Sequence, residues 1–238
     1  MKIICFDKID STNTYAKLNI DDLEDMSVIS ADFQSAGRGR FTRSWVDLGS
    51  ENIYMTIILK PEELLQVHSN LTQYLSVCLC KMIEEQGLKP KIKWPNDVLL
   101  NGKKVCGILA ESIIKGGKLK GIVLGIGVNL NASAENLDKI DRPATSVNLE
   151  LGKNINKKEF MENLLEKFFA NYDEFLSKGF KYIIDDYEKR ASFMNQKLKI
   201  AVFKDVYEGF CKGVDDNGAI VLLLDGNNIE KFNMGEII

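Results

Sequence analysis

The sequence predicts an α+β fold: a mixed α/β domain over residues 1–189, followed by a small all-β module over residues 190–238. Three observations support this prediction. Hydrophobic and polar residues alternate along most of residues 91–128, as they do in half-buried strands. Longer stretches on both sides repeat with helical spacing. After Arg190 only short strand-like runs remain, separated by turn sequences, and this change of period marks the start of the second module.

The mixed domain should begin with a strand, a short helix for which Ser11-Thr-Asn-Thr14 offers capping side chains, and two more strands joined by a loop rich in glycine and arginine. These elements are expected over residues 2–7, 11–18, 26–33 and 53–59, with the loop over residues 34–50. A helix is then predicted over residues 62–86, and Gly87 ends it.

Two turn signals divide the strand-rich centre. Asn101-Gly102 is a strong hairpin signal, and Gly116-Gly117 is a second one. The central strands are expected over residues 91–94, 98–100, 105–114 and 119–128. Amphipathic helices over residues 159–177 and 181–189 complete the mixed domain. The all-β module should contain strands over residues 197–203, 207–214, 219–224 and 229–232.

Composition narrows the class of protein. The net charge of −3 and pI near 5.4 argue against a nucleic-acid partner or an anionic membrane. The N-terminus turns charged too early for a signal peptide, and no apolar run approaches the roughly 20 residues of a membrane span. Five cysteines without metal-ligand spacing indicate reduced thiols. We therefore expect a cytoplasmic protein with neither a nucleic-acid nor a membrane partner.

Histidine chemistry is restricted because His68 is the only histidine. A Ser-His-Asp triad would have to use it, and a zinc site would have to combine it with scattered cysteines. We expect His68 to be an ordinary structural residue.

The arginines are concentrated in one loop. The chain has 31 lysines and arginines, of which five are arginines, and Arg38, Arg40 and Arg43 lie within six positions. Guanidinium groups bind phosphate or carboxylate in a planar, bidentate manner, and the interleaved Gly37 and Gly39 let the backbone approach a ligand closely. The loop could be merely a solvated basic segment, but this pattern favours an anionic ligand.

Two other segments carry polar side chains suited to a nucleotide. In Lys93-Trp-Pro-Asn-Asp97, Asn96 and Asp97 could contact ATP or a Mg²⁺ ion on its phosphates, although the same residues also form common turns. After the Asn101-Gly102 turn, strand alternation puts Lys103 and Lys104 on opposite faces and does not decide which one faces inward.

The segment Gly125-Ile-Gly-Val-Asn129 ends a long predicted strand. It is not a dinucleotide-binding fingerprint, because the third glycine is missing, and no phosphate-binding loop of the Walker type occurs in the chain. A nucleotide would be held differently, with close backbone approach at Gly127 and a side-chain amide from Asn129.

Taken together, these motifs resemble those of the biotin–protein ligase family, in the same order and with similar spacing across nearly the whole chain. The motifs are Ser11-Thr-Asn13, Gln34-Ser-Ala-Gly-Arg-Gly-Arg40 with Arg43 and Trp45, Lys93-Trp-Pro-Asn-Asp97, Lys104-Val-Cys-Gly-Ile108 and Gly125-Ile-Gly-Val-Asn129. Each motif is weak alone, and five in sequence are specific.

The resemblance implies a mixed-sheet catalytic domain, a terminal SH3-like β-barrel, and an enzyme that forms biotinyl-5'-AMP from biotin and ATP. It would then transfer biotin to a lysine of a biotin carboxyl carrier domain. By motif, Lys104 and Arg40 would be catalytic, with Lys104 between the biotin carboxylate and the α-phosphate. The residues expected at biotin are Ser11, Thr12, Asn13, Gln34, Gly37, Arg38, Lys104 and Gly107. Those expected at ATP are Arg40, Arg43, Trp45, Asn96, Asp97 and Asn129, with Asp97 also near Mg²⁺.

Two alternatives and one departure accompany this resemblance. A lipoate–protein ligase would share the fold, but its glycine-run loop differs from Gly37-Arg-Gly-Arg40. A biotin sensor without transfer activity would not need the phosphate-facing set. Some family members carry an N-terminal DNA-binding domain, and here Ser11 lies too near the start to leave room for one, so we expect the short form. Family members also dimerise through the catalytic sheet, so a homodimer is a further expectation.

Overall fold

The computed structural model describes residues 2–41, 43–62 and 65–238. Seven strands form a mixed sheet, namely β1 (Ile3–Ile9), β2 (Val28–Gln34), β3 (Ile53–Leu59), β4 (Lys91–Lys93), β5 (Asp97–Leu100), β6 (Lys103–Lys115) and β7 (Lys118–Val128). Their order across the sheet is β1-β2-β3-β7-β6-β5-β4. The β1–β2 pair is parallel, and the other neighbouring strands are antiparallel.

Helices cover both faces of this sheet. They are α1 (Thr12–Leu18), α2 (Leu71–Glu85), α3 (Ala134–Leu137), α4 (Val147–Leu151), α5 (Lys157–Phe169), α6 (Tyr172–Lys178) and α7 (Ile184–Arg190). Because α1 packs on one face and α2 belongs to the large core on the other, every residue of β3 is buried, which explains its unbroken apolar run. In the described parts of the chain, no helix combines the length and the hydropathy of a membrane span.

A second sheet follows the helices. Its strands are β8 (Lys197–Val202), β9 (Asp205–Val214), β10 (Ile220–Leu223), β11 (Ile229–Phe232) and β12 (Glu236–Ile237), in the order β11-β10-β9-β8-β12. All its pairings are antiparallel. The α+β fold class is confirmed, including a separate antiparallel C-terminal sheet. Closure of that sheet into a barrel and the domain boundary at residue 190 stay predictions.

The β9–β10 turn fixes the C-terminal sheet to the mixed domain. The carbonyl of Gly218 accepts hydrogen bonds from Gln73 Nε2 at 2.9 Å and from Trp94 Nε1 at 3.1 Å. Gly218 has a φ of +77°, and a Cβ there would lie 2.6 Å from side-chain atoms of Asn70 and Gln73. One apolar core, which includes Trp94 and Ile220, runs continuously through both sheets.

Two predicted helices differ from the observed ones. The helix predicted over residues 62–86 is a 3₁₀ segment (Gln66–Asn70) followed by α2, and its Glu63 and Leu64 lie outside the described residues. The single helix predicted over residues 159–177 is divided into α5 and α6, because Asn171 leaves the helical conformation with a φ of −128°. Helices α3 and α4 and strand β12 were not predicted, since each is too short to show a period.

His68 is buried in the 3₁₀ segment, and its Nδ1 accepts a hydrogen bond from the backbone N–H of Leu65 at 2.9 Å. Burial lowers the pKa of His68, so the imidazole is neutral at physiological pH. Its position is that of a structural residue.

Candidate active site

One cavity of about 460 Å³ gathers the motifs at a single place. It lies between the start of α1, the arginine loop, strands β5–β7, the segment 139–144 and the end of the C-terminal sheet. The predicted site residues that line it are Ser11, Thr12, Asn13, Gln34, Arg38, Arg40, Arg43, Trp45, Asn96, Asp97, Lys104, Gly107 and Asn129. Gly37 is the predicted site residue that does not line it.

The end of the cavity near α1 is a buried polar network. Gln34 Oε1 accepts hydrogen bonds from the backbone N–H of Thr12 at 2.8 Å and from its hydroxyl at 3.1 Å. Thr56 Oγ1, on β3, lies 2.6 Å from Asn13 Oδ1 and 2.9 Å from Thr12 Oγ1. Ser11 caps α1, with its hydroxyl accepting from the N–H of Thr14. These uncharged side chains are almost completely buried, so they form a preorganised set of donors and acceptors.

Glycines form the floor of the cavity. Gly107 and Gly127 face each other across the β6–β7 pair, and the indole of Trp45 lies on them. A Cβ at Gly127 would lie 2.3 Å from Trp45 Cε2, and one at Gly107 would lie 2.8 Å from Trp45 Cζ3. A side chain at either position would therefore displace the indole. Trp45 Nε1 is buried against this floor and has no hydrogen-bond partner among the described residues.

Gly37 closes the arginine loop instead of contacting the cavity. Its carbonyl accepts a hydrogen bond from the N–H of Trp45 at 2.9 Å, and a Cβ at Gly37 would lie 2.5 Å from the Trp45 carbonyl oxygen. The close approach of these two backbone segments requires glycine and sets the position of Trp45.

The other end of the cavity is cationic. Lys104 Nζ lies 2.7 Å from Asp97 Oδ1 and 5.5 Å from the centroid of the Trp45 ring. The structure thus answers the question that strand alternation left open, because Lys104 lines the cavity and Lys103 is exposed. Arg40 donates to Asn96 Oδ1 at 3.3 Å and to the carbonyl of Gly235 at 2.8 Å.

Burial lowers the pKa of Arg40 and outweighs the nearby carboxylates of Asp97 and Glu236. A guanidinium nevertheless stays charged at any physiological pH. Its positive charge is therefore partly desolvated, which strengthens its interaction with an anion in the cavity. At the end of the cavity near α1, Arg38 Nη2 forms an ion pair with Glu111 at 3.4 Å.

Hydrogen bonds fix the side chains of Asn96, which follows Trp94-Pro95, and of Asn129, which follows β7. Asn96 Nδ2 donates to the carbonyl of Ile108, and Asn129 Nδ2 donates to the carbonyl of Thr145 at 3.0 Å. Both amides are buried. Asn129 thereby ties the end of β7 to Thr145, which directly follows the cavity-lining segment 139–144.

Four polar or charged residues at the site are among those not identified from the sequence. Thr56 is buried under the polar network, Lys93 and Arg142 line the cationic end, and Glu236 reaches the same end from β12. Arg142 had a usable signal, since it is one of only five arginines in the chain. Thr56 and Glu236 had none, because neither belongs to a motif and both meet the site through distant contacts.

The geometry describes a protein that holds a small molecule at a polar end and an anion at a cationic end. The profile of the biotin/lipoate A/B protein ligase family matches residues 5–129, which include most of the cavity. The chain belongs to this family.

The relatives include a bifunctional ligase/repressor and proteins named as biotin ligases. The chain is 32% identical to the bifunctional ligase/repressor BirA of Bacillus subtilis over 99% of this chain and 73% of the relative. It is 33% identical to the biotin–[acetyl-CoA-carboxylase] ligase of Paracoccus denitrificans over 90% of this chain and 91% of the relative. The biotin protein ligase of Aquifex aeolicus, solved in complex with biotin and ATP, matches with a TM-score of 0.83 at 28% identity, covering 100% of this chain and 97% of that one. The family predicted from the motifs is confirmed.

Proposed function

We propose that the protein activates biotin with ATP to form biotinyl-5'-AMP and pyrophosphate. It then transfers biotin to one lysine of the biotin carboxyl carrier domain of acetyl-CoA carboxylase or a related carboxylase. The observation that carries this proposal is the division of one cavity into a neutral polar end and a cationic end, joined by the glycine floor. Such a cavity suits an uncharged ring system whose carboxylate must meet a phosphate.

Biotin is assigned to the polar end. A cyclic urea offers two N–H donors and one carbonyl acceptor, and the network around Thr12, Asn13 and Gln34 offers both kinds of partner. Ser11 completes this set, and Arg38 and Gly107 would lie beside the bound biotin. Gly37 would act only indirectly, by placing Trp45. The biotin carboxylate would then reach Lys104.

ATP is assigned to the cationic end. Arg40 and Arg43 would bind its phosphates, Trp45 would form a wall of the adenine site, and Asn129 would face the nucleotide. Guanidinium groups suit this role because they bind phosphate oxygens in pairs. Asn96, which already accepts a hydrogen bond from Arg40, would orient the nucleotide together with Asp97.

In the first reaction a biotin carboxylate oxygen bonds to the α-phosphorus, and the bond from that phosphorus to the β-phosphate oxygen breaks. Pyrophosphate leaves with the electron pair. Two anions must approach each other, so Lys104 and Arg40 act by neutralising the charge that grows on the phosphates. Removing one such group typically lowers the rate by about 100- to 1,000-fold. In the second reaction a neutral lysine amine of the carrier attacks the acyl carbon, AMP leaves, and the amine loses its proton.

Mg²⁺ is proposed as a companion of the nucleotide. The described residues contain no cluster of three or more His, Cys, Asp and Glu side chains that could hold a metal ion. Mg²⁺ commonly uses one or two protein carboxylates together with substrate phosphates and water, and Asp97 offers such a carboxylate in the cavity. Bound there, Mg²⁺ would supply further neutralisation of phosphate charge.

The test is mass spectrometry of a biotin carboxyl carrier domain after incubation with the protein, biotin and Mg-ATP. We expect a mass gain of one biotin that requires ATP and the acceptor lysine. A gain of lipoate instead would favour the sister ligase activity. Tight biotin binding without transfer and without pyrophosphate release would favour a biotin sensor. A homodimer, a cytoplasmic location and the lack of a nucleic-acid partner stay predictions from the sequence.

A further inference from the structure

A carboxylate from the C-terminal sheet occupies the arginines at the cationic end of the cavity. Glu236 Oε1 accepts from Arg43 Nη1 at 2.6 Å, and its Oε2 lies 2.5 Å from Arg43 Nη2, so the pair is bidentate. Arg142 Nη1 lies 3.4 Å from the same Oε1. The Glu236 side chain is 18% exposed, whereas the two arginines are 44% and 53% exposed. One half-buried carboxylate therefore pairs with two guanidiniums that line the cavity.

The backbone presents this carboxylate rigidly. Glu236 and Ile237 pair with β8 opposite Ala201 and Ile200, and the carbonyl of Gly235 accepts a hydrogen bond from Arg40 at 2.8 Å. Gly235 has a φ of +131°, and a Cβ there would lie 2.8 Å from the Ala201 carbonyl oxygen. The strand thus approaches its neighbour as closely as glycine allows.

Electrostatics keep Glu236 ionised. Burial alone would raise the pKa of Glu236, but the hydrogen bond from Arg43 and the charges of Arg43, Arg142 and Lys93 outweigh burial and hold that pKa below the ordinary 4.5. The same contact raises the pKa of Arg43. The ion pair is thus complete at neutral pH.

Guanidinium binds a carboxylate and a phosphate with the same paired geometry. We propose that Glu236 is an internal anion that holds Arg43 and Arg142 in the free protein, is displaced by the terminal phosphates of ATP, and returns as pyrophosphate leaves. This inference rests on the proposed ligase function. Its consequence is that Glu236 weakens polyphosphate binding and speeds the departure of pyrophosphate, while it keeps the two arginines correctly placed between turnovers.

The test compares binding of inorganic pyrophosphate to the wild-type protein and to Glu236→Gln by calorimetry. Partly exposed ion pairs contribute up to about 1 kcal/mol, so removing the competing charge should tighten the pyrophosphate Kd by about five-fold. Glu208→Gln is the matched control, because Glu208 also pairs with two cations of the C-terminal sheet, Lys197 and Lys199, but does not line the cavity. It should leave the Kd unchanged.

If Glu236 only held the two arginines in place, Glu236→Gln would raise the pyrophosphate Kd instead of lowering it, because loosened arginines would bind pyrophosphate more weakly. Equal or weaker binding by a folded Glu236→Gln, or no binding by either protein, overturns the proposal. If Glu236→Gln melts at a lower temperature, Glu236→Asp keeps the charge but withdraws it by one methylene, and tighter binding is again expected. In an Arg142→Gln background the gain from Glu236→Gln should shrink below about two-fold.

Failure of this inference is distinguishable from failure of the proposed function. Without biotinyl-AMP formation by the wild-type protein, the ligase proposal fails, and the pyrophosphate comparison still decides the role of Glu236. With biotinyl-AMP formation, Glu236→Gln should also lower the KM for ATP and increase inhibition by pyrophosphate. Unchanged values of both would contradict the inference alone.

Discussion

Replacing Thr56 with valine should impair biotin binding although Thr56 lies beneath the cavity. Valine matches threonine in shape but lacks its hydroxyl, which lies 2.6 Å from Asn13 Oδ1 and 2.9 Å from Thr12 Oγ1. Thr56 is completely buried, so water cannot readily replace the lost group. The Asn13 amide would lose its shortest hydrogen bond and keep only the longer contacts of its Nδ2 with Leu109 and Glu111, so its orientation would be less well fixed.

The magnitude follows from the cost of one buried polar atom without a partner. That cost is about 1–3 kcal/mol, so we expect the free energy of unfolding to fall by about 2 kcal/mol and the Tm by about 4–8 °C. If the misoriented amide forfeits one hydrogen bond to biotin, the biotin Kd should rise by about ten-fold. The KM for ATP should change little, because Thr56 lies at the other end of the site.

Calorimetric titration with biotin and urea unfolding measure both effects. The matched control is Thr56→Ser, which retains the hydroxyl and should stay within about three-fold of the wild-type Kd. The reasoning is refuted if valine and serine weaken biotin binding equally, since the effect would then come from packing and not from the hydrogen bonds.

Three further predictions concern the glycine floor of the cavity, the arginine loop and an ion pair of the helical part of the fold. Gly127→Ala places a methyl group against Trp45 Cε2 and should reduce the rate of biotinyl-AMP formation about 10- to 100-fold. In a protein that already carries Trp45→Ala, the same substitution should reduce the rate little further, and additive losses would contradict this. Arg40→Gly removes the contacts to Asn96 and Gly235, so biotinyl-AMP should escape and label lysines of an added bystander protein; adenylate retention without stray labelling would oppose this role. Arg190→Leu breaks a nearly buried guanidinium pair with Glu84 and Asp186 and should lower the unfolding free energy by about 2 kcal/mol. Lys178→Leu, which breaks an exposed pair, should lower it far less, and equal losses in urea unfolding would show that burial is not the cause.

The local parts of the fold could be predicted from the sequence because local forces decide them. The capped start of α1, the strands β6 and β7 and the Asn101-Gly102 hairpin depend on residues that are neighbours in the chain. The division of α5 from α6 could not be foreseen in this way. Asn171 interrupts a stretch whose hydrophobic pattern continues through it, so periodicity alone reads two helices as one.

The candidate site could likewise be predicted only where its residues form local motifs. Loop arginines and the motif lysine could be selected by residue type and spacing, and the structure brings them to one cavity. Glu236 could not, because 193 positions separate it from Arg43 and a lone glutamate near a chain end carries no pattern. Its position follows from the pairing of β12 with β8 and from the fixed contact of Gly218 with α2.

These long-range contacts change the interpretation of the C-terminal sheet. The arginine loop bonds to this sheet through Arg40 and Arg43, and the loop also carries Trp45 over the glycine floor. A shift of β12 would therefore be transmitted through the loop backbone to the wall of the proposed adenine site. Because the adenylate is a reactive anhydride that must be kept from water, a loop whose ends are joined by the Gly37–Trp45 hydrogen bond and whose arginines contact a second module suits its retention. The C-terminal sheet therefore contacts the arginines of the proposed site directly.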